Sequence, residues 1–402
     1  MNIFTKYYDM LLFKSEKIIL LSEDNLIRMI TRAIESAIKE CLFQKKALLL
    51  FGARQVGKTT MITKIINDLN ISTIFLNGDE ADIKEMLSNT TSVKLKSLIG
   101  DNRLLVIDEA QMIPGIGTTI KILVDTVRNV QVIATGSSSF ELANRLNEPL
   151  TGRKFEFTLF PVSFGEMVRH HGLIDEKRYL DQRLLYGYYP EIVTASINHE
   201  KLIRLLAGSY LYKDLLMLES IKKPALIEKL LRALALQIGS EVSFSELSQL
   251  IGADKNTIEK YIDLLEKVYV IFRLPAFHRN VRNEIRKGRK IYFYDNGIRN
   301  AVLNNFTSLQ SRSDAGALWE NFIISERIKY LANNDQKADS FFWRTVQQQE
   351  IDYIEDQGGN LSAYEIKWSE RKRTRFSSTF TTAYPDCKTY FINPSNYHEF
   401  LI

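Results

Sequence analysis

Two glycines in a short span, the second followed at once by lysine and threonine, constrain this chain more than any other feature. The stretch is Gly52-Ala53-Arg54-Gln55-Val56-Gly57-Lys58-Thr59. The apolar run Ala47-Leu48-Leu49-Leu50-Phe51 before it predicts a buried parallel strand. After it, Met61, Ile62, Ile65, Ile66 and Leu69 recur at helical spacing. Strand, glycine loop, helix is the context in which G-x-x-x-x-G-K-[ST] binds phosphate, and it separates the motif from a chance match in a turn. Gly52 and Gly57 let the backbone curl until its amides point inward. Those amides and the positive end of the following helix cradle an anion. Gln55, Val56 and Thr60 complete the expected binding set. Lys58 would reach the β and γ phosphates of ATP, and the Thr59 hydroxyl would ligate Mg²⁺.

A second motif supports the first. Leu104-Leu105-Val106-Ile107-Asp108-Glu109 is four apolar residues ending in two acids. In open parallel sheets ligands bind at the carboxyl ends of buried strands of this kind. Asp108 would hold Mg²⁺, and Glu109 would polarise the water that attacks the γ phosphate. A third apolar run, Val130–Thr135, ends in Gly136-Ser137-Ser138-Ser139. A strand inserted between the two motif strands lies beside the phosphate loop, and a hydroxyl at its tip can sense the γ phosphate. Ser137 is the first candidate and Thr135 the second; an ordinary serine-rich turn would read the same.

Length and composition set the outer limits. The 402 residues suffice for two or three domains, and 45% apolar with 25% charged residues is ordinary for a soluble protein. A formal charge of +5 is compatible with DNA as a partner without demanding it. Two cysteines far apart in sequence, Cys41 and Cys387, form neither a disulfide framework nor a zinc spacing, which points to a reducing cytoplasm. Charged residues interrupt the N-terminal apolar run, and no stretch has the length of a membrane span.

Strands and helices alternate to about residue 160, with strands expected at 47–51, 73–76, 104–107, 131–135 and 155–159. This is the pattern of a doubly wound α/β sheet. Residues 23–44 read as an amphipathic helix with Leu26, Ile30, Ala33, Ile34, Ala37, Ile38 and Cys41 on one face and Ser22 as its cap. We divide the chain into a phosphate-loop core (1–160), a helical lid (161–224), a winged-helix-like region (225–290) and a C-terminal α/β domain (291–402). In the third part, Ser243–Glu246 opens a short helix, Gly252 ends it, Asp254 caps the next, and Val268–Phe272 is apolar enough for a strand. DNA recognition by the helix from Asp254 and a packing or hinge role remain equal readings. The basic run His278–Lys290 fits a phosphate-backbone contact or a solvated loop.

Near the C-terminus, Glu320 lies on an expected helix, and Asp352 sits in the alternating strand Glu350–Ile354. A Gly358-Gly359 turn leads to Ala363–Trp368, in which strand alternation puts Glu365 and Lys367 on one face. Asp352, Glu365 and Lys367 have the spacing of the restriction-type nuclease set, in which carboxylates hold Mg²⁺ and a lysine orients water. Glu320 would complete it, and Arg371–Arg375 could meet nucleic acid. A hairpin with exposed charges is the alternative.

These residues together resemble a family of bacterial and archaeal ATP-binding proteins. Its members join an AAA-type ATPase domain to a C-terminal domain of unknown function with a restriction-endonuclease-like fold. The resemblance spans nearly the whole chain. It includes both nucleotide motifs, Thr135–Ser138, Leu150–Arg153, Phe160–Glu166, Gly187–Glu191, Tyr292–Ile298, Trp319–Asn321, Glu350–Asp352 and Glu365–Lys367. It implies an ATP- and Mg²⁺-dependent ATPase core, a winged-helix region and a nuclease-like module. It also suggests Arg153 as an arginine finger, with a surface salt bridge as the equal alternative. Three functions follow: an ATPase that switches its C-terminal domains, an ATP-gated DNA-binding or DNA-cleaving effector, and a nucleotide-binding signalling scaffold. A homo-oligomer is compatible with each.

Overall fold

The computed structural model describes residues 29–127, 129–137, 150–217, 224–278, 288–345, 347–369 and 375–402, the side chains of 209–217 and 224 aside. The chain divides into two compact units, Met1–Leu159 and Phe160–Ile402.

The first unit is built on five parallel strands: β1 (Ala47–Phe51), β2 (Thr73–Asn77), β3 (Leu104–Asp108), β4 (Gln131–Gly136) and β5 (Lys154–Thr158). Their order is β2-β3-β4-β1-β5, so β4 lies between the two motif strands, beside the glycine loop. The apolar runs explain the layering. Every residue of β1 is buried, as are Leu104–Ile107 of β3. Each such Leu or Ile removed from water contributes about 1.5–3 kcal/mol. The helix Lys58–Leu69 buries Met61, Ile62 and Ile65.

The helix expected over 23–44 is shorter. Leu26 and Ser22 lie outside the described residues, and the helix runs only over Glu35–Cys41. Met29–Ile34 follow a non-helical path that still buries Ile30 and Ile34. Arg32, in that stretch, donates from Nη1 to the Val56 carbonyl at 2.7 Å, which ties the segment to the glycine loop.

The second unit starts with helices, among them Phe164–His171, Leu180–Tyr186 and His199–Met217. Helices Pro224–Leu236, Phe244–Ile251 and Lys255–Lys267 follow, with a small antiparallel sheet of β6 (Glu241–Val242), β7 (Ile271–Pro275) and β8 (Arg289–Phe293) in the order β6-β8-β7. Ser243 and Asp254 cap their helices, and Gly252 ends the first of the two in the left-handed conformation. The strand begins at Ile271 rather than Val268, because Val268 caps the preceding helix and Tyr269 turns at φ 59°. The division expected at 290/291 falls inside β8, and most of the basic run (279–287) lies outside the described residues.

A four-stranded sheet closes the chain: β9 (Asp339–Arg344), β10 (Glu350–Gln357), β11 (Asn360–Ile366) and β12 (Lys388–Ile392), ordered β12-β11-β10-β9. Gly358 and Gly359, both at positive φ, make the two-residue turn that pairs Gln357 with Asn360. The long helix Ala315–Asn333 buries Leu318, Trp319, Phe322 and Ile323. Two further sequence motifs meet here. Asp295 caps the helix Asn296–Leu303 through Ile298 N at 3.0 Å, and its other oxygen accepts Tyr188 N at 2.6 Å. Among the described residues, no helix is long and apolar enough to cross a membrane.

Candidate nucleotide and C-terminal sites

Adjacent parallel strands bring the nucleotide motifs together. Thr59 Oγ1, one residue into the loop helix, donates to Asp108 Oδ2 at 2.8 Å. Thr135 Oγ1 on β4 donates to the other Asp108 oxygen and accepts from Glu109 N at 3.1 Å. Lys58 is buried, and its ammonium donates to the carbonyls of Gly52 and Ala53, both at 2.8 Å. Gln55 (φ 58°) and Gly57 (φ 95°) make the turns that coil the loop around it, Val56 is fully buried, and Thr60 faces outward. At Gly52 (φ +148°) a Cβ would stand 2.1 Å from the Leu159 carbonyl oxygen, so only glycine lets the end of β5 cross the loop.

Glu109 sits in the left-handed region, φ 50°, and turns the chain out of β3. Gln111, on the short turn that follows, donates from Nε2 to the Glu109 carboxylate and to Ser137 Oγ, the latter at 3.1 Å. The second acid and the hydroxyl at the end of β4 thus share one amide. Gln111, Gly78 and Arg32 escaped the sequence reading. Gly78 donates its N–H to the Asp108 carbonyl at 2.7 Å, and a Cβ there would lie 2.5 Å from the Glu109 carbonyl oxygen. The only sequence signal was the nearness of Gln111 to the acid pair. Ser138 and Ser139 lie outside the described residues.

Arg153 forms a surface salt bridge, one of the two roles expected of it. β1 and β5 run parallel, with Ala47 opposite Lys154 and Phe51 opposite Thr158. Arg153 therefore precedes the amino end of β5, whereas the loop leaves the carboxyl end of β1. Five residues of strand, roughly 16 Å, separate the two edges. Its Nε binds Asp125 Oδ1 at 2.7 Å, in a half-exposed ion pair. It does not reach the phosphate loop of its own chain. A cavity of about 1040 Å³ lined by Lys96, Asp101, Arg103 and Asp125 also lies away from the loop, at the amino end of β3.

The donor set at the loop suits a hard cation. A threonine hydroxyl and a carboxylate, already in contact, are oxygen ligands of the kind Mg²⁺ takes together with water and phosphate.

The C-terminal residues also converge. The register Tyr353↔Tyr364 sets Asp352 opposite Glu365 on the neighbouring strand. Lys367 Nζ joins them, 2.9 Å from Asp352 Oδ2 and 2.7 Å from Glu365 Oε2. Asp352 Oδ2 also accepts Ile366 N at 2.7 Å. Burial, then the neighbouring Asp352 charge, pushes the Glu365 carboxyl up to about 7. Burial disfavours charge on Lys367, but Asp352 and Glu365 outweigh it and hold the ammonium protonated above its usual range.

Glu320 is turned toward β8 instead. Its Oε1 accepts Tyr292 OH at 2.7 Å and Lys290 Nζ at 3.2 Å, and Lys290 also pairs with Glu350. Burial raises the Glu320 carboxyl, partly countered by Lys290. The donor set does not suit a divalent ion. Each ammonium spans two carboxylates, and among the described residues no three His, Cys, Asp or Glu are arranged to hold a metal. Of the basic run 371–375, only Arg375 is described.

Three family models match stretches of the chain. Residues 44–168 match a family model described as an AAA domain. Residues 177–309 and 315–399 match two models described as domains of unknown function, DUF8612 and DUF4143. An uncharacterised protein of Mycobacterium tuberculosis is 27% identical over 341 residues, covering 84% of this chain and 73% of that protein. An uncharacterised protein of Methanocaldococcus jannaschii is 25% identical over 346 residues, covering 80% and 75%. Among solved structures, RuvB of Thermotoga maritima aligns at 15% identity with a TM-score of 0.30, covering 66% of this chain and 95% of that one. The chain carries an AAA-type P-loop ATPase domain, followed by a C-terminal DUF4143 domain with its own sheet.

Proposed function

We propose that the chain is a Mg²⁺-dependent ATPase whose nucleotide state is passed to the domains after Leu159. The carrying observation is the 2.8 Å hydrogen bond between Thr59 and Asp108, which unites the phosphate-loop and acidic motifs in one oxygen-lined site. In this reading Lys58 exchanges its two carbonyl acceptors for β and γ phosphate oxygens. The amides of Gln55 to Thr60 hold the remaining oxygens. Thr59 and Asp108 hold Mg²⁺, which would neutralise phosphate charge. Glu109 accepts a proton from the attacking water, with Gln111 aiming its carboxylate and Ser137 sensing the γ phosphate. Arg153, on the far edge, would act only on a neighbouring copy.

The coupling proposal rests on Leu159. Its N–H donates to the Phe51 carbonyl at 2.8 Å, and its carbonyl packs on Gly52. The residue that leads into the second unit is therefore held by the loop that would grip phosphate. Helices Phe244–Ile251 and Lys255–Lys267 with the small sheet support a winged-helix reading, and the Asp352/Glu365/Lys367 contact supports a nuclease-like fold without metal-dependent cleavage. DNA is the partner these readings imply.

Phosphate release and ATP calorimetry test the core. Lys58→Ala should abolish ATP binding, and Glu109→Gln should bind ATP without turning it over. Full hydrolysis by either variant would remove the assignment.

A further inference from the structure

We propose that Lys290 is the resident cation of the C-terminal acidic cluster, so that this cluster binds no divalent metal and instead clasps β8 to the β10–β11 hairpin. The cluster holds four carboxylates: Glu320, Glu350, Asp352 and Glu365. Each already has an ammonium partner. Lys290 bridges Glu320 and Glu350, and Lys367 bridges Asp352 and Glu365.

Lys367 follows the hairpin strand itself and would accompany a metal in a nuclease-type centre. Lys290 comes from another sheet. Its side chain is only 1% exposed, and its ammonium also lies 5.5 Å from the centre of the Phe342 ring. A buried ammonium is costly without paired carboxylates, so Glu320 and Glu350 cannot leave it at small cost.

The orientation of Glu320 points the same way. Its Oε1 accepts two donors from β8, Lys290 and Tyr292. A Cβ on Gly239 would lie 3.2 Å from that oxygen, so Gly239 encloses it from a further side. The helical acid that would complete a metal site with Asp352 and Glu365 is thus spent on the small sheet. Arg344 adds positive charge at the rim, with Nε 3.7 Å from Glu350. The clasp holds the small sheet and the C-terminal sheet in one register, consistent with the backbone bond from Phe277 N to Phe342 O at 2.6 Å.

This inference stands apart from the ATPase reading, and its test uses the full chain without nucleotide. The probe is Mn²⁺ alone, with bound ions counted by electron paramagnetic resonance. Wild type and Asp352→Asn should bind the same number of ions. Loss of one ion on Asp352→Asn would overturn the proposal, because the cluster would then hold a metal beside Lys290. Folded Lys290→Met, checked by circular dichroism, should gain one Mn²⁺ that Lys290→Met/Asp352→Asn lacks. Folded Lys290→Met without that gain would equally overturn it. If Lys290→Met does not fold, the wild-type comparison still decides.

Discussion

Gly52→Ala is the sharpest probe of how the phosphate loop is built. The added Cβ would stand 2.1 Å from the Leu159 carbonyl oxygen and 3.1 Å from its carbon, and the residue sits at φ +148°. The obstacle is backbone, so no rotamer relieves it. Overpacking of this kind costs about 1–3 kcal/mol, and a strained backbone conformation about as much again. Even the low end, roughly 2 kcal/mol in total, should lower the melting temperature by at least about 2 °C in a chain of this length. ATP at a hundred times its Kd should raise wild-type stability by about 2.7 kcal/mol. The variant should lose most of that gain, because the shift displaces the loop amides. The assay is differential scanning fluorimetry with and without Mg²⁺-ATP. Gly115→Ala is the control: it shares a positive φ of +69° but meets nothing within 4 Å. It should cost about 1–2 kcal/mol and leave ATP stabilisation intact. If Gly52→Ala matches wild type in both melting temperature and ATP response, the close approach of β5 to the loop is not as described.

Three further outcomes are expected. Gln111→Ala should retain ATP affinity but lower kcat on the order of 10- to 100-fold, since Glu109 loses the amide that aims it; unchanged kcat in a phosphate-release assay would exclude a positioning role. Arg153→Ala should change stability by no more than about 1 kcal/mol and leave ATP affinity of dilute protein unaltered; a calorimetric loss of binding at low concentration would contradict its placement. The Arg312 and Arg299 hydrogen bonds to Asp314 hold its carboxyl well below the usual carboxylate range. Because the folded value is depressed, the stabilisation is present above the ordinary aspartate pKa of about 3.9 and is lost as pH falls through the folded value. Asp314→Asn should cost on the order of 3 kcal/mol at pH 7 by leaving Arg299 buried without its carboxylate. It should also flatten the acid limb of a urea-unfolding series; an unchanged acid limb would show that Asp314 does not carry it.

Local chemistry was legible in the chain. Apolar runs bounded by turns marked β1, β3 and β4 most plainly, because burying both faces of a strand leaves little else it can be. The glycine loop and the acid pair were readable because phosphate binding demands particular residues at particular spacings. The Gly358-Gly359 turn was visible for the same reason: its two positions need positive φ.

Contacts set by distant segments were not legible. Arg153 follows β4 in sequence and was expected as an arginine finger or a surface salt bridge. Parallel pairing of β5 with β1 sends it to the opposite edge, about a strand length away. Lys290 of the C-terminal cluster was hidden in the same way. Asp352, Glu365 and Lys367 share a hairpin, so alternation brought them together. Lys290 enters from another sheet, across sixty residues of chain, and nothing in local periodicity marks it. Residue types and their spacing determine what a strand end or a turn is able to bind. Which charge is left over to bind it depends on the partners that tertiary packing delivers, since a buried carboxylate must first be matched by the nearest cation.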